Sequence, residues 1–219
     1  MVRRRIEMEK GGILPLERGL WFAAGEKLQE ADQAIEGMRV AKDRISFETG
    51  WTRFVDSIEE FWARFYDEGK IKFSNFQPWA GAIDVKRKSD PLLQYVTQAR
   101  HQSQHGRISL EWEQEKLIIA PGFNGHLRGL KIFPDGTFEM DATPLQGSSV
   151  EGTVVASPGR PLLPVIENKK FRQKYAPPTE HSGVLLVDKT PIGVAQAALS
   201  YYASTLDLAL EKFAPPLSN

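Results

Sequence analysis

Residues 51–65 read Trp51-Thr52-Arg53-Phe54-Val55-Asp56-Ser57-Ile58-Glu59-Glu60-Phe61-Trp62-Ala63-Arg64-Phe65. Trp51, Phe54, Val55, Ile58, Phe61, Trp62 and Phe65 recur at three- and four-residue steps, which gathers them on one broad face of a helix. Arg53, Asp56, Glu59, Glu60 and Arg64 fall between them and give the opposite side to water. Aromatics in such a stripe are expected in a core rather than on a stacking platform. Ser46 and Thr49 are the candidate caps near the start of this helix.

A face this apolar needs other elements to cover it. Upstream, Leu28, Ala31, Ile35 and Met38 repeat at helical spacing, with Glu26, Lys27, Glu30, Lys42 and Asp43 on the polar side. Downstream, residues 69–89 break the pattern with Pro78 and two glycines, and read as a loop. That stretch ends in Lys86-Arg87-Lys88, three cations that can touch phosphate or simply lie solvated. Asp90-Pro91 then opens a further helix, Asp as N-cap and Pro as first helical residue. Leu92, Leu93, Val96 and Ala99 form its apolar side, and Gly106 suits its left-handed stop.

From Arg107 the period changes to alternation. Residues 108–113 and 116–119 read as one hairpin, and 130–133 and 137–140 as another across Pro134-Asp135-Gly136. Residues 153–155 and 163–166 are weaker strands, with 171–175 pairing back across Asn168-Lys169-Lys170. Helical period returns after Thr190-Pro191, carried by Val194, Ala197, Ala198, Tyr201, Leu206 and Leu210, and Pro215-Pro216 ends it. With helices, then sheet, then helix, and no βαβ alternation, the class is α+β. The expected architecture is an antiparallel helical bundle over 16–106 and 190–214. An antiparallel β-meander of four to six strands is inserted at 107–180, and residues 1–15 form a disordered or frayed amino terminus.

Composition narrows the function. The 219 residues include 28 basic and 28 acidic side chains, so no global field draws the chain to nucleic acid or an acidic membrane. Apolar residues make up 41%, enough for a core. No cysteine is present, which removes disulfides and thiolate zinc sites and fits a reducing compartment. The basic start, Arg3-Arg4-Arg5, is not followed by an apolar signal segment, and no run approaches transmembrane length. A soluble, cytoplasmic protein without membrane association is therefore expected. There is no P-loop, no dinucleotide-binding glycine motif, no nucleophile elbow and no zincin motif. Gly122-Phe123-Asn124-Gly125 is a loop between strands, because no helix follows to make it a phosphate cradle.

Histidine carries the remaining chemistry. His101 and His105 are i, i+4 neighbours that share a helix face and can hold a metal, but no third ligand is nominated, so neither a metal nor another cofactor is assigned. His126 and His181 are expected to be structural or exposed. The joint motif Arg100-His101-Gln102-Ser103-Gln104-His105 resembles the signature of the HEPN superfamily (higher eukaryotes and prokaryotes nucleotide-binding domains): Arg, then Asn, Asp or His, three variable residues, then His. The resemblance covers the motif and its helical frame; the β segment departs from a minimal bundle and is treated as an insertion. It implies metal-independent cleavage of RNA, as in toxins and defence effectors, with His105 managing a proton, Arg100 facing the scissile phosphate and His101 as the polar member. Physics allows that division, since imidazole titrates near neutrality and guanidinium offers phosphate a charged fork. The carboxyl end of a helix also favours a protonated imidazole. Arg100 and His105 lie about 140° apart round an ideal helix, so one helix does not aim both at a point unless its end unwinds. The family's usual pairing of two motifs predicts a homodimer. The alternative is a non-catalytic protein- or nucleotide-binding assembly module.

Overall fold

The computed structural model describes residues 19–103, 110–113, 116–119, 125–132, 138–144, 154–157, 159–168 and 171–213. Among the described residues, five helices and small antiparallel strand pairs make up an α+β fold. Two compact units divide it, one of residues 1–110 with 163–219, the other of residues 111–162.

The first unit is the antiparallel helical bundle. Helix α1 (Phe22–Arg39) buries Leu28, Ala31, Ile35 and Met38, the stripe its spacing predicts, together with Ala24, Gly25 and Ala34. Those small residues let α2 (Arg44–Lys72) come close: a Cβ on Gly50 of α2 would lie 2.7 Å from Met38 Cγ. All seven members of the Trp51–Phe65 stripe are buried. The cap of α2 is neither Ser46 nor Thr49 but Asp43, whose carboxylate accepts the Ser46 N–H at 2.7 Å. The helix starts two residues ahead of Ser46, which places Asp43 at the cap and leaves Thr49 inside, donating back to Ile45 O.

Trp21 completes this core, three residues ahead of Ala24 and in step with the α1 stripe. It precedes α1 at φ 56°, a left-handed conformation uncommon for a bulky residue. Full burial offsets that strain, as do two hydrogen bonds, indole N–H to Phe65 O at 2.9 Å and backbone N–H to Glu68 Oε1 at 3.0 Å. Phe65, Phe73, Phe76 and Phe213 surround its ring at centroid distances of 5.0–6.2 Å.

Residues 69–89 are not a loop. Helix α2 runs on to Lys72, and α3 spans Phe76–Ser89. Pro78 falls in the first turn of α3, where its missing N–H breaks no helical bond. Phe76, Ala80 and Arg87 are the buried residues of α3. Arg87 thus occupies a position where an apolar residue would reveal the period. Position 69 of this helix takes glycine because the Phe76 ring lies against it, where a methyl group would overlap that ring. Gly69→Ala is expected to cost about 1–3 kcal/mol, as for overpacked cores, in urea denaturation. An unchanged midpoint would show that the α2–α3 contact relaxes freely.

Helix α4 (Pro91–Ser103) begins as its sequence predicts. Asp90 Oδ1 accepts the N–H groups of Leu92 and Leu93, and Leu92, Leu93, Val96 and Ala99 are fully buried. Helix α5 (Pro191–Phe213) follows Thr190, whose Oγ1 accepts the Gly193 N–H at 3.2 Å. It buries Val194, Ala198, Tyr202 and Leu206 against α1, α2 and α4. The expected stops at Gly106 and Pro215-Pro216 lie outside the described residues, as does the amino terminus.

In the second unit, β1 (Glu111–Trp112) pairs with β6 (Pro161–Leu162), and β2 (Lys116–Ile119) with β5 (Val154–Ser157). They enclose the hairpin of β3 (Gly125–Ile132) and β4 (Phe138–Pro144), which has the expected register Leu130↔Met140 and an irregularity at Leu127–Gly129. The hairpin read between 108–113 and 116–119 is thus corrected. Alternation marks each segment as a strand, but the ladder partners come from much later in the chain. The turn at 134–136 lies outside the described residues. In the helical unit, β7 (Ile166–Asn168) pairs with β8 (Gln173–Tyr175) as expected, and β9 (Glu180–His181) with β10 (Val184–Leu185).

Candidate functional site

Arg100 and His101 sit where α4 leaves the core. Ala99 before Arg100 is fully buried and His101 after it is exposed, so the Arg100 side chain runs along the bundle surface, 24% exposed. Its Nε lies 3.5 Å from Asp56 Oδ1 of α2. One turn further along α2, Glu60 is gripped by Lys27 of α1 at 3.0 Å and by Arg64 at 3.6 Å. The Lys27 hydrogen bond holds the Glu60 carboxyl below its usual range against the opposing effect of burial, and the charges of Lys27, Arg64 and Arg100 add to it. Asp56 and Glu60, together with Glu30, Ala34, Gly37 and Arg53, also line an open groove of about 630 Å³ between α1 and α2. Neither carboxylate was singled out in the sequence; their i, i+4 spacing on the wet face of α2 was the available signal. His105 and Gln104 lie outside the described residues.

The basic run splits three ways. Arg87 is 7% exposed and points inward, with Nε donating to Tyr202 Oη at 2.9 Å, Nη2 to Glu59 Oε1 at 2.5 Å, and the guanidinium 4.5 Å from the Trp62 ring centroid. Burial disfavours its charge, but Tyr202 and Glu59 outweigh that and keep its pKa above the ordinary value. Burial in turn pushes the Tyr202 phenol well up. Arg87 is thus not one of three exposed loop cations, because it is buried and its donors serve the core. Lys88 pairs with Asp84 at 2.6 Å, and Lys86 Nζ stands 5.1 Å from the Tyr201 ring centroid.

His126 is exposed on β3, opposite Thr143. His181 ends β9, and a tight turn through Ser182 (φ 54°) and Gly183 (φ 77°) follows. Glycine and a small polar residue suit a turn that needs two positive φ angles. His181 Nδ1 lies 2.9 Å from Asp90 Oδ1, the Ser182 N–H donates to Asp90 Oδ2 at 2.7 Å, and Ser182 Oγ is 3.3 Å from His181 Nε2. Carboxylate, imidazole and hydroxyl come in the order of a nucleophilic triad. Here, though, both carboxylate oxygens are committed to the cap of α4 and to the turn, which makes Asp90 a clip between hairpin and helix.

Burial pushes the Asp90 carboxyl up, but the His181, Ser182 and Leu93 hydrogen bonds outweigh it and hold the pKa below the ordinary 3.8. Its contribution is therefore complete above pH 3.8 and lost as pH falls through the lower folded value. Asp90→Ala is expected to cost about 1–2 kcal/mol at pH 7, the upper range for a helix cap, and less under strong acid. Urea titrations at both pH values test this; an equal loss at each would remove the charge from the clip.

No helix among the described residues is long and apolar enough to cross a membrane. No family model, no curated protein and no solved structure matches this chain.

Proposed function

We propose that this chain is a HEPN-like, metal-independent endoribonuclease, of the toxin or defence-effector kind, that works as a cytoplasmic homodimer. The observation that carries the reading is Arg100 at the surface end of α4, 3.5 Å from Asp56 through its Nε, with the exposed His101 beside it. An antiparallel helical bundle around it supports the reading.

In this reading the ribose 2′-hydroxyl attacks the adjacent phosphorus and the 5′-oxygen of the next nucleotide leaves. His105 takes the 2′-hydroxyl proton or gives one to the leaving oxygen, and Arg100 meets the charge building on the phosphate oxygens. The products are a 2′,3′-cyclic phosphate and a 5′-hydroxyl. Pairing two chains brings two motifs to one cleft, which answers the angular separation of Arg100 and His105 on one helix.

A second reading, a non-catalytic protein- or nucleotide-binding assembly module, is favoured by the engagement of Arg100 with Asp56. A guanidinium held by a carboxylate can serve as a structural tie, and a phosphate must compete with that carboxylate. Incubating the purified protein with structured and single-stranded RNA in chelator, alongside light scattering, separates the two. Cleavage by a dimer supports the nuclease. A dimer that binds RNA or a partner protein without cleavage supports the module, and a monomer inert toward RNA removes both the pairing and the nuclease.

A further inference from the structure

Arginine recognises phosphate best through two parallel hydrogen bonds, so the plane of its guanidinium must be set as well as its position. A side chain that leaves a helix at a surface does not hold that plane by itself, because its several rotatable bonds carry about 2 kcal/mol of rotamer entropy. In this chain the inner nitrogen of the fork faces a carboxylate, in an ion pair rather than a hydrogen bond. Arg100 Nε is shielded from solvent and lies 3.5 Å from Asp56 Oδ1, on a helix whose neighbouring turns bury Phe54, Val55 and Ile58 completely. The Asp56 carboxylate thus stands on a rigid base, the kind of support a preorganised site needs. Glu60, the next carboxylate on that face, is tied to Lys27 of α1 and Arg64. That cross-link ties Glu60 to α1, and among the described residues Asp56 stands at ion-pair distance from Arg100.

We infer that Asp56 is the positioning residue of Arg100, setting the orientation in which the guanidinium meets a phosphate of the RNA strand. The inference rests on the ribonuclease reading for its chemistry and on the Asp56–Arg100 geometry for its site. Asp56 acts through Arg100 and does not itself touch the reacting atoms.

The test uses the full chain as wild type, Asp56→Asn, Asp56→Ala and Arg100→Lys. Asp56 is partly exposed and its Asn variant nearly isosteric, so folding should survive; matched melting temperatures check this. With chelator present, both Asp56 variants are expected to lose roughly ten- to a hundredfold in kcat, the scale of a misaligned catalytic group, with KM unchanged or lower. A merely structural role would lower the melting temperature and leave kcat alone. The Nε–Hε resonance of Arg100, assigned by its absence in Arg100→Lys, should move in Asp56→Asn. Wild-type kcat together with an unmoved resonance in that variant overturns the inference. If wild type cleaves no RNA, the ribonuclease reading falls by itself and the resonance decides Asp56: moved, it orients Arg100; unmoved, it does not.

Discussion

If the proposed ribonuclease reading holds, His105→Ala is expected to lower RNA cleavage in the presence of chelator by about 10²–10⁴-fold, because a general acid–base group is removed and chelator denies a metal its place. Arg100→Ala fails to a similar degree for a different reason: the charge that meets the phosphate is gone. His101→Ala loses less, since the motif admits Asn or Asp at that position and His101 is exposed. The ordering separates catalysis from stability only if all three variants melt with wild type, because residues at a helix end also act through capping. Products are read by their ends, and a 2′,3′-cyclic phosphate marks attack by the ribose hydroxyl rather than by water. His105→Ala cleaving as fast as wild type would sink the nuclease and leave the assembly module.

The largest stability effect is expected at Glu59, away from the motif. Glu59→Ala strips the Arg87 guanidinium of its carboxylate while leaving it at 8% side-chain exposure among Trp62, Thr97 and Tyr202. Removing one partner of a buried pair costs about 3–5 kcal/mol, and the lower end applies here because Glu59 retains 17% exposure. Arg87→Met with Glu59→Leu should recover most of that loss, since apolar replacement of both charges removes the desolvation penalty along with the attraction. Denaturant titration of wild type, Glu59→Leu, Arg87→Met and the double variant closes the cycle. A Glu59→Ala variant within about 1 kcal/mol of wild type, the range of exposed pairs, would place the Arg87 pair on the solvated surface instead.

Sequence alone determined those features whose physical cause is local. The stripes of α1, α2 and α4 are legible because apolar side chains recur at the helical period, and each buries as that period requires. Asp90-Pro91 and Thr190-Pro191 mark helix starts because a cap and its amide are neighbours in the chain. Pairings β3–β4 and β7–β8 follow from short connections. Tertiary structure decided the features whose partners are distant. Helix α3 was missed because Arg87 fills a core position, which makes sense only beside Glu59 and Tyr202. The partners of β1 and β2 lie beyond the inner hairpin, where alternation carries no information about pairing. Trp21 is in step with the α1 stripe, but its aromatic walls come from α2, α3 and α5. The Arg100-His101 motif is visible in the sequence, but the carboxylate that holds Arg100 comes from another helix, and the helix period does not say which residues of two helices meet.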